Sequence, residues 1–246
     1  MAAQFTTVRR ALGFVSFLSF PVVVFYLSPM LILSSASAGV IGASALVFAA
    51  FFASSLFLGR AYCGWLCPAG GGMEACSFIN SKPVGTKVNI IKYLLFFPWI
   101  AFVLFLFVKA GGIASIDFFH DMPYGISLDE PWKYLIYAGI LALVFGTSLL
   151  FGRRFFCHGF CWMAPFMVIG RKLRNLFDWP SLLLRPDPAA CTGCGTCVSK
   201  CPMSLPVTDH VKSRRMEDSE CILCGECVAA CPNKAVRFGF GRGMKI

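Results

Sequence analysis

Cys191-Thr-Gly-Cys194-Gly-Thr-Cys197-Val-Ser-Lys-Cys201-Pro202 is followed thirty residues along by Cys221-Ile-Leu-Cys224-Gly-Glu-Cys227-Val-Ala-Ala-Cys231-Pro232. Cys-x2-Cys-x2-Cys-x3-Cys-Pro run twice is the spacing of a bacterial two-cluster ferredoxin. One tight loop presents three thiolates to three corners of a cubane, and the other run lends the fourth. The spacing therefore predicts Cys191, Cys194, Cys197 and Cys231 around one [4Fe-4S] cluster. Cys221, Cys224, Cys227 and Cys201 are predicted around a second. Gly193, Gly195 and Gly225 suit such loops, because glycine turns tightly and lets backbone amides point at sulfide. A zinc ribbon would instead carry two Cys pairs well apart in sequence. The tail is read as an α+β ferredoxin-like domain over 187–246. Arg185-Pro-Asp-Pro188 is read as a short stiff linker into it, since proline fixes φ and disfavours helix at the residue before it.

Outward from that tail the chain changes character. Its 246 residues are 57% hydrophobic and 14% charged, with a mean hydropathy of +0.72, which excludes an ordinary soluble globule and predicts an integral membrane protein. Most of the charge falls after Gly152. The net charge of +10 gathers where apolar runs end, so membrane topology and anionic lipid explain it better than nucleic acid. Thirteen cysteines, all but Cys76 in ligand spacings, on segments assigned to the cytosol, argue against disulfides. The first apolar run is long enough to span and has no convincing cleavage site, so it is read as an uncleaved helix.

Crossing the hydrocarbon core takes about 20 mostly apolar residues. Stretches 11–33, 39–58, 90–108 and 134–151 meet that length or approach it, giving a four-helix transmembrane domain over 1–186. Kinks are expected at Pro21, Pro29 and Pro98. Arg9 and Arg10 precede the first span, Arg60, Lys82, Lys87 and Lys92 lie between the second and third, and Arg153, Arg154, Arg171, Lys172, Arg174 and Arg185 follow the fourth. The loop from 110 to 132 holds Asp117, Asp121, Asp129 and Glu130 and no Lys or Arg. Positive charge marks the inner side. The expected topology is multi-pass in the cytoplasmic membrane, with both termini and the ferredoxin domain cytosolic.

Ser55-Leu-Phe-Leu-Gly-Arg-Ala-Tyr-Cys63 and Ser148-Leu-Leu-Phe-Gly-Arg-Arg-Phe-Phe-Cys157 form an internal repeat with one inserted residue. Each hairpin ends in a Gly-Arg, an aromatic residue and a Cys-x3-Cys motif, so the two hairpins are predicted to be parallel repeats about an axis along the membrane normal. Cys63, Cys67, Cys157 and Cys161 would then meet at the bundle centre. The spacing leaves three readings open: a shared centre, either one iron or a [2Fe-2S] cluster; a redox or partner-docking thiol pair; and packing of one helical face. Arg60 and Arg153 are expected to offset the charge of a shared centre, and His158 to tune or ligate it. Cys76 is read as a packed free thiol. His120 and His210 lie outside the apolar spans, so paired haem ligands are not available. The segment 116–125 mixes aromatics and acids, and reads as an interfacial belt in preference to a quinone contact.

Four predicted spans, Arg60-Ala-Tyr-Cys63-x3-Cys67-Pro68, Cys157-x3-Cys161 and the twin ferredoxin run together resemble the NapH family and its relatives in the NosR and MauN groups. NapH proteins are the membrane iron-sulfur subunits of periplasmic nitrate reductase systems. The resemblance implies a quinol-linked electron-transfer component that relays electrons between the membrane quinone pool and iron-sulfur partners. Those partners would be other redox subunits or a soluble ferredoxin-like protein. One departure stands out: the family closes both membrane-edge motifs with Cys-Pro, whereas the second here reads Cys161-Trp-Met-Ala-Pro165. No flavin-attachment signal, long periplasmic domain or Cys-x2-Cys-His is seen, so only the membrane core and tail of a NosR-type architecture are expected. Two further functions fit the same motifs: a metal-handling or maturation factor that uses the membrane Cys pairs, and a redox sensor.

Overall fold

Proline decides how the first apolar stretch folds. In the computed structural model, which describes residues 2–122 and 125–243, helix α1 (Ala2–Leu18) stops at Ser19. Helix α2 (Phe20–Val23) then starts with Pro21 in its first turn, a 3-10 turn covers Phe25–Leu27, and α3 (Pro29–Ser37) begins anew behind Ser28, whose hydroxyl accepts from Met30 N at 3.2 Å. The rod expected over 11–33 is therefore three pieces. Pro21 and Pro29 each lack the N–H that would extend the preceding helix, and each sits where a new helix tolerates that loss.

A two-residue strand β1 (Val40–Ile41) leads into α4 (Ala43–Leu58), which is shorter than the expected 39–58. Short helices α5 (Ala61–Trp65) and α6 (Pro68–Cys76) follow. Helix α7 (Asn89–Lys109) runs through Pro98, strand β2 (Ser115–Ile116) pairs parallel with β1, and α8 (Pro131–Phe151) is the last long apolar helix. Helix α9 (Phe155–Gly159) and α10 (Met163–Phe177) close this half.

Two helical stretches, Thr86–Lys109 with 24 residues and Pro131–Phe151 with 21, are long and apolar enough to cross a membrane. Their central windows are only 17% and 11% buried. Large side chains such as Leu94, Leu104, Val108, Leu135 and Leu150 consequently face outward. An unbroken apolar exterior of this kind is what lipid covers, and the protein is a membrane protein.

The C-terminal half is built on an antiparallel pair, β3 (Ser181–Pro186) and β4 (Val236–Gly241), in register from Ser181 opposite Gly241 to Pro186 opposite Val236. Between the strands lie α11 (Thr196–Ser199), α12 (Val207–Lys212) and α13 (Glu226–Ala230). The residues expected to form a linker at 185–188 instead continue the sheet: Arg185 and Pro186 are in β3, and Asp187 N donates to Ala235 O at 2.8 Å. Leu183 and Leu184 are buried, so β3 contributes core as well as connection.

Candidate metal centres

Each ferredoxin motif folds the same way around a left-handed glycine. Gly195 (φ +73°) precedes α11 and Gly225 (φ +75°) precedes α13. One residue before the second cysteine of each motif the backbone is left-handed again, at Gly193 (φ +76°) and at Leu223 (φ +49°). Leucine in that region is strained. Leu223 is nevertheless buried, and its carbonyl accepts from Trp65 Nε1 at 3.0 Å, so packing against the membrane half holds it there.

These loops surround two cavities. One is lined by Cys201, Cys221, Cys224 and Cys227 with Leu184, Met203 and Ile222; the other is lined by Cys191, Cys194, Cys197 and Cys231 with Thr208 and Val236. Each cavity thus takes three cysteines from one run and the last from the other. Backbone amides are aimed at the sulfurs: Leu205 and Met203 at Cys201, Leu223 at Cys221, Glu226 at Cys224, and Ala235 at Cys231 (3.3 Å). Burial pushes the Cys221 thiol up to about 11 and the Cys224 thiol up to about 12. Cys227 is raised by burial and then by Cys221 and Cys224. Crowded sulfurs that raise one another, with amide donors trained on them, fit an anionic iron-sulfur cluster, whose metal core replaces the thiol protons.

At the membrane edge the two Cys-x3-Cys motifs share one backbone turn. Cys67 N donates to Tyr62 O (3.0 Å) and Cys161 N to Phe156 O (2.9 Å). Cys63 is the third residue of α5 and Cys157 the third of α9. All four thiols are buried and close enough to act on one another: burial first, then Cys63, Cys157 and Cys161, raises Cys67. Cys161 is pushed up to about 12 by burial, then by Cys157 and Cys63. Among the described residues, in either half, no three His, Cys, Asp or Glu side chains are placed to hold a single metal ion. Met167 Sδ lies 3.5 Å from Cys63 Sγ, a soft neighbour that spacing does not reveal.

The arginines are assigned differently from the sequence alignment. Cys63 N donates to Arg60 O, and Cys157 N donates to Arg154 O, which makes Arg154, and not Arg153, the counterpart of Arg60. The inserted residue is absorbed by a left-handed Arg154 (φ +50°). Arg154 is buried, its Nη1 donates to Cys63 O (2.9 Å), and its Nη2 meets Glu74 (3.2 Å). Arg153 turns away to donate to Ser199 O at 2.5 Å. His158 Nδ1 donates to Asn89 Oδ1 (2.9 Å), while its buried Nε2 has no partner among the described residues. Burial, then Lys92 and Arg60, lowers His158 to about 4, so it stays neutral. Cys76 is buried in α6, and burial raises its thiol. Of the segment 116–125, Phe118 and Phe119 are exposed, and Pro123 and Tyr124 lie outside the described residues.

Acidic side chains of the ferredoxin half fasten it to this layer. Glu220, next to Cys221, meets the buried Arg60 (2.7 Å) and Lys92 (2.6 Å). Glu226, next to Cys227, meets Arg9 (2.5 Å), which also pairs with Glu74. Arg174, fully buried in α10, holds Glu217 (2.9 Å) and Gly241 O (3.0 Å). These partners are separated by up to 217 positions and carry no local sequence signal. The two halves are in backbone contact at Gly64 in α5, where a Cβ would fall below 3.0 Å from Ile222 O and 3.1 Å from both Cys224 N and Cys224 Cα. Only glycine lets the membrane-edge motif lie directly on the loop of the second ferredoxin motif.

With cavities of this kind on a half-buried, half-lipid-exposed frame, the chain is similar to ferredoxin-type electron-transport proteins with 4Fe-4S domains. The family model for a 4Fe-4S dicluster domain matches residues 183–232, and the model for a 4Fe-4S binding domain matches twice, at 40–82 and 134–180. Among particular relatives, the electron transport protein YccM of Escherichia coli is 27% identical over 189 residues, 71% of this chain and 50% of YccM. NirI of Paracoccus denitrificans is 29% identical over 63% of this chain and 23% of its own length. The methylamine utilization ferredoxin-type protein MauN of Methylobacillus flagellatus is 28% identical over 60% of this chain and 50% of its own. The matched part is thus half or less of each of these relatives. No solved structure matches the chain.

Proposed function

We propose that the chain is a membrane-anchored relay carrying electrons between the lipid phase and redox partners on the cytosolic side. In this reading the four spans cross the cytoplasmic membrane as two parallel hairpin repeats, with the ferredoxin half and both termini on the positively charged inner side. Cys191, Cys194, Cys197 and Cys231 hold one [4Fe-4S] cluster, and Cys221, Cys224, Cys227 and Cys201 hold the second. When bound, the clusters supply one-electron carriers. Cys63, Cys67, Cys157 and Cys161 hold a further iron-sulfur centre, linked to a quinol donor or acceptor as in the NapH-like pattern. Arg60 and Arg154 bring positive charge to those four sulfurs.

The observation that carries this reading is the backbone contact of Gly64 with Ile222 and Cys224. It puts the residue after Cys63 against a predicted cluster ligand, so that the membrane motif and the inner ferredoxin cavity form one continuous line. Iron and sulfide analysis with EPR on anaerobic protein tests it, comparing wild type with Cys63→Ser. Wild type should hold more than about eight irons, the content of two cubanes, and the variant should fall to that value. An unchanged count and spectrum would remove the membrane centre. A second reading, metal handling, is favoured by Met167 beside Cys63, because thiolate with thioether suits Cu(I). Copper in the purified protein, with iron at about eight, would put it first.

A further inference from the structure

We propose that the ferredoxin half docks an acidic, soluble one-electron carrier over the cavity of Cys191, Cys194, Cys197 and Cys231, through a basic rim that includes Lys212 and Lys234. This rests on the reading that the cavity holds a cluster, and adds which cavity meets the partner and what charge the partner carries.

The two cavities differ in what covers them. That of Cys201, Cys221, Cys224 and Cys227 is closed by the membrane half, through Gly64, Trp65 and Arg9. Cys201, Cys224 and Cys227 are buried there. The other cavity has no such cover: Cys194 is exposed, and Cys191, Cys197 and Cys231 are half-buried. Electron transfer between proteins needs the two centres close together, so a soluble carrier is served by the outer cavity. The inner one faces the membrane motif.

Charge is segregated in the same sense. Glu217, Glu220 and Glu226 point inward to Arg174, Arg60 and Arg9, and Asp218 lies 3.8 Å from His210. The outer surface of this half is left with Asp187 and Asp209 as exposed acids, against exposed Arg185, Lys212, Arg214, Arg215, Lys234 and Arg237. None of these six cations has an ion-pair partner among the described residues. Lys212 Nζ stands 3.4 Å from where a Cβ on Gly193 would sit, over the first motif. Lys234 follows Cys231 by three residues, with its N–H donating to Cys231 O (3.3 Å), and Arg237 Nε donates to Lys234 O (3.4 Å). Arg185 is directly opposite Arg237 across the strand pair. Like charges at opposed positions repel, and an acidic partner relieves that repulsion. On contact, one electron leaves the reduced carrier, which is oxidised, and enters the cysteine-bound centre. Transfer outward is the reverse, and no proton or bond changes hands.

The test uses the full chain in nanodiscs of neutral phosphatidylcholine, with an acidic [2Fe-2S] ferredoxin as probe and biolayer interferometry for Kd. Binding should weaken about ten-fold or more between low and high salt, since exposed pairs are screened. K212E with K234E should weaken it about ten-fold or more at low salt, and the neutral pair K212Q with K234Q by less. Stopped-flow reduction by the reduced probe should slow in the same order. Binding indifferent to salt and to both pairs, or tighter binding of a basic carrier, overturns the docking site. Iron and sulfide measured on the same samples separate the two ideas. Wild type lacking clusters overturns the underlying reading, while the Kd arm, which needs no electron transfer, still decides the docking.

Discussion

Replacing Gly64 with alanine asks whether the two halves are as tightly apposed as the structure has them. The added methyl would sit under 3.0 Å from Ile222 O and 3.1 Å from Cys224 N and Cα, where ordinary contact begins at 3.4 Å. The obstructing atoms are backbone and cannot swing aside, so α5 and the 220–227 loop must separate by at least 0.4 Å. Overpacking of this kind costs about 1–3 kcal/mol. The same separation stretches the Trp65-to-Leu223 and Arg9-to-Gly64 hydrogen bonds, now 3.0 Å and 3.3 Å. At 1.4 kcal/mol per factor of ten, opening of the interface should become about 5- to 150-fold more frequent. Hydrogen–deuterium exchange read on the amides of 60–67 and 220–227 measures that opening. Gly146→Ala is the control, because a Cβ there meets nothing within 4 Å. If both variants exchange like wild type, the halves are not in backbone contact and the line from membrane motif to inner cavity is broken.

Glu220→Gln leaves Arg60 and Lys92 buried without their carboxylate, which should cost about 3–5 kcal/mol and lower the thermal midpoint. Burial alone would raise the Glu220 carboxyl, but Arg60 and Lys92 overcome it and hold it below the usual range. Its contribution is therefore complete at neutral pH, above the unfolded value of about 4.3, and is lost as pH falls through the lower folded value. Unfolding midpoints followed down from pH 7 should show that loss in wild type and a flatter profile in the variant. Arg154→Met should cost about 2–3 kcal/mol, from charged hydrogen bonds to Glu74 and Cys63 O, and Arg153→Met about 1 kcal/mol, from one bond to Ser199 O. The reverse order of thermal midpoints would restore Arg153 as the partner of Arg60.

Residues whose chemistry is set by near neighbours in the chain were legible in the sequence. Ligand spacing is local, so the two runs from Cys191 and Cys221 name the cysteines that line the two cavities, down to the exchange of Cys201 and Cys231. Length and apolar content likewise announce α7 and α8. The break of the first span was not legible, because whether proline kinks or ends a membrane helix depends on neighbours that satisfy the freed carbonyls. Strand β3 was hidden for a related reason. A short, fully apolar run such as Leu182-Leu-Leu184 has no alternation to distinguish it from a helix end. Arg153 and Arg154 follow one another, and the position of the inserted residue between them and Cys157 is set by the left-handed backbone at Arg154. Arg154 precedes Cys157 by three residues, as Arg60 precedes Cys63. Glu220, Glu226 and Glu74 left no signal at all, since their partners are distant in sequence and meet only through the tertiary fold.

The pair of Arg9 with Glu226 joins helix α1 to α13, the last helix among the described residues, across 217 positions. During synthesis the arginine emerges first, and its carboxylate last. Until the ribosome has delivered residues 217–226, Arg9 has Glu74 alone, Arg174 has Asp178 alone, and Arg60 waits for Glu220. Contacts of such high sequence separation form late, after long loops have closed. The membrane half therefore cannot reach its final packing before the tail is complete. If the tail holds the two clusters proposed for it, metal loading is coupled to its folding, and a cell short of iron is expected to accumulate chains whose membrane half is inserted but unlocked.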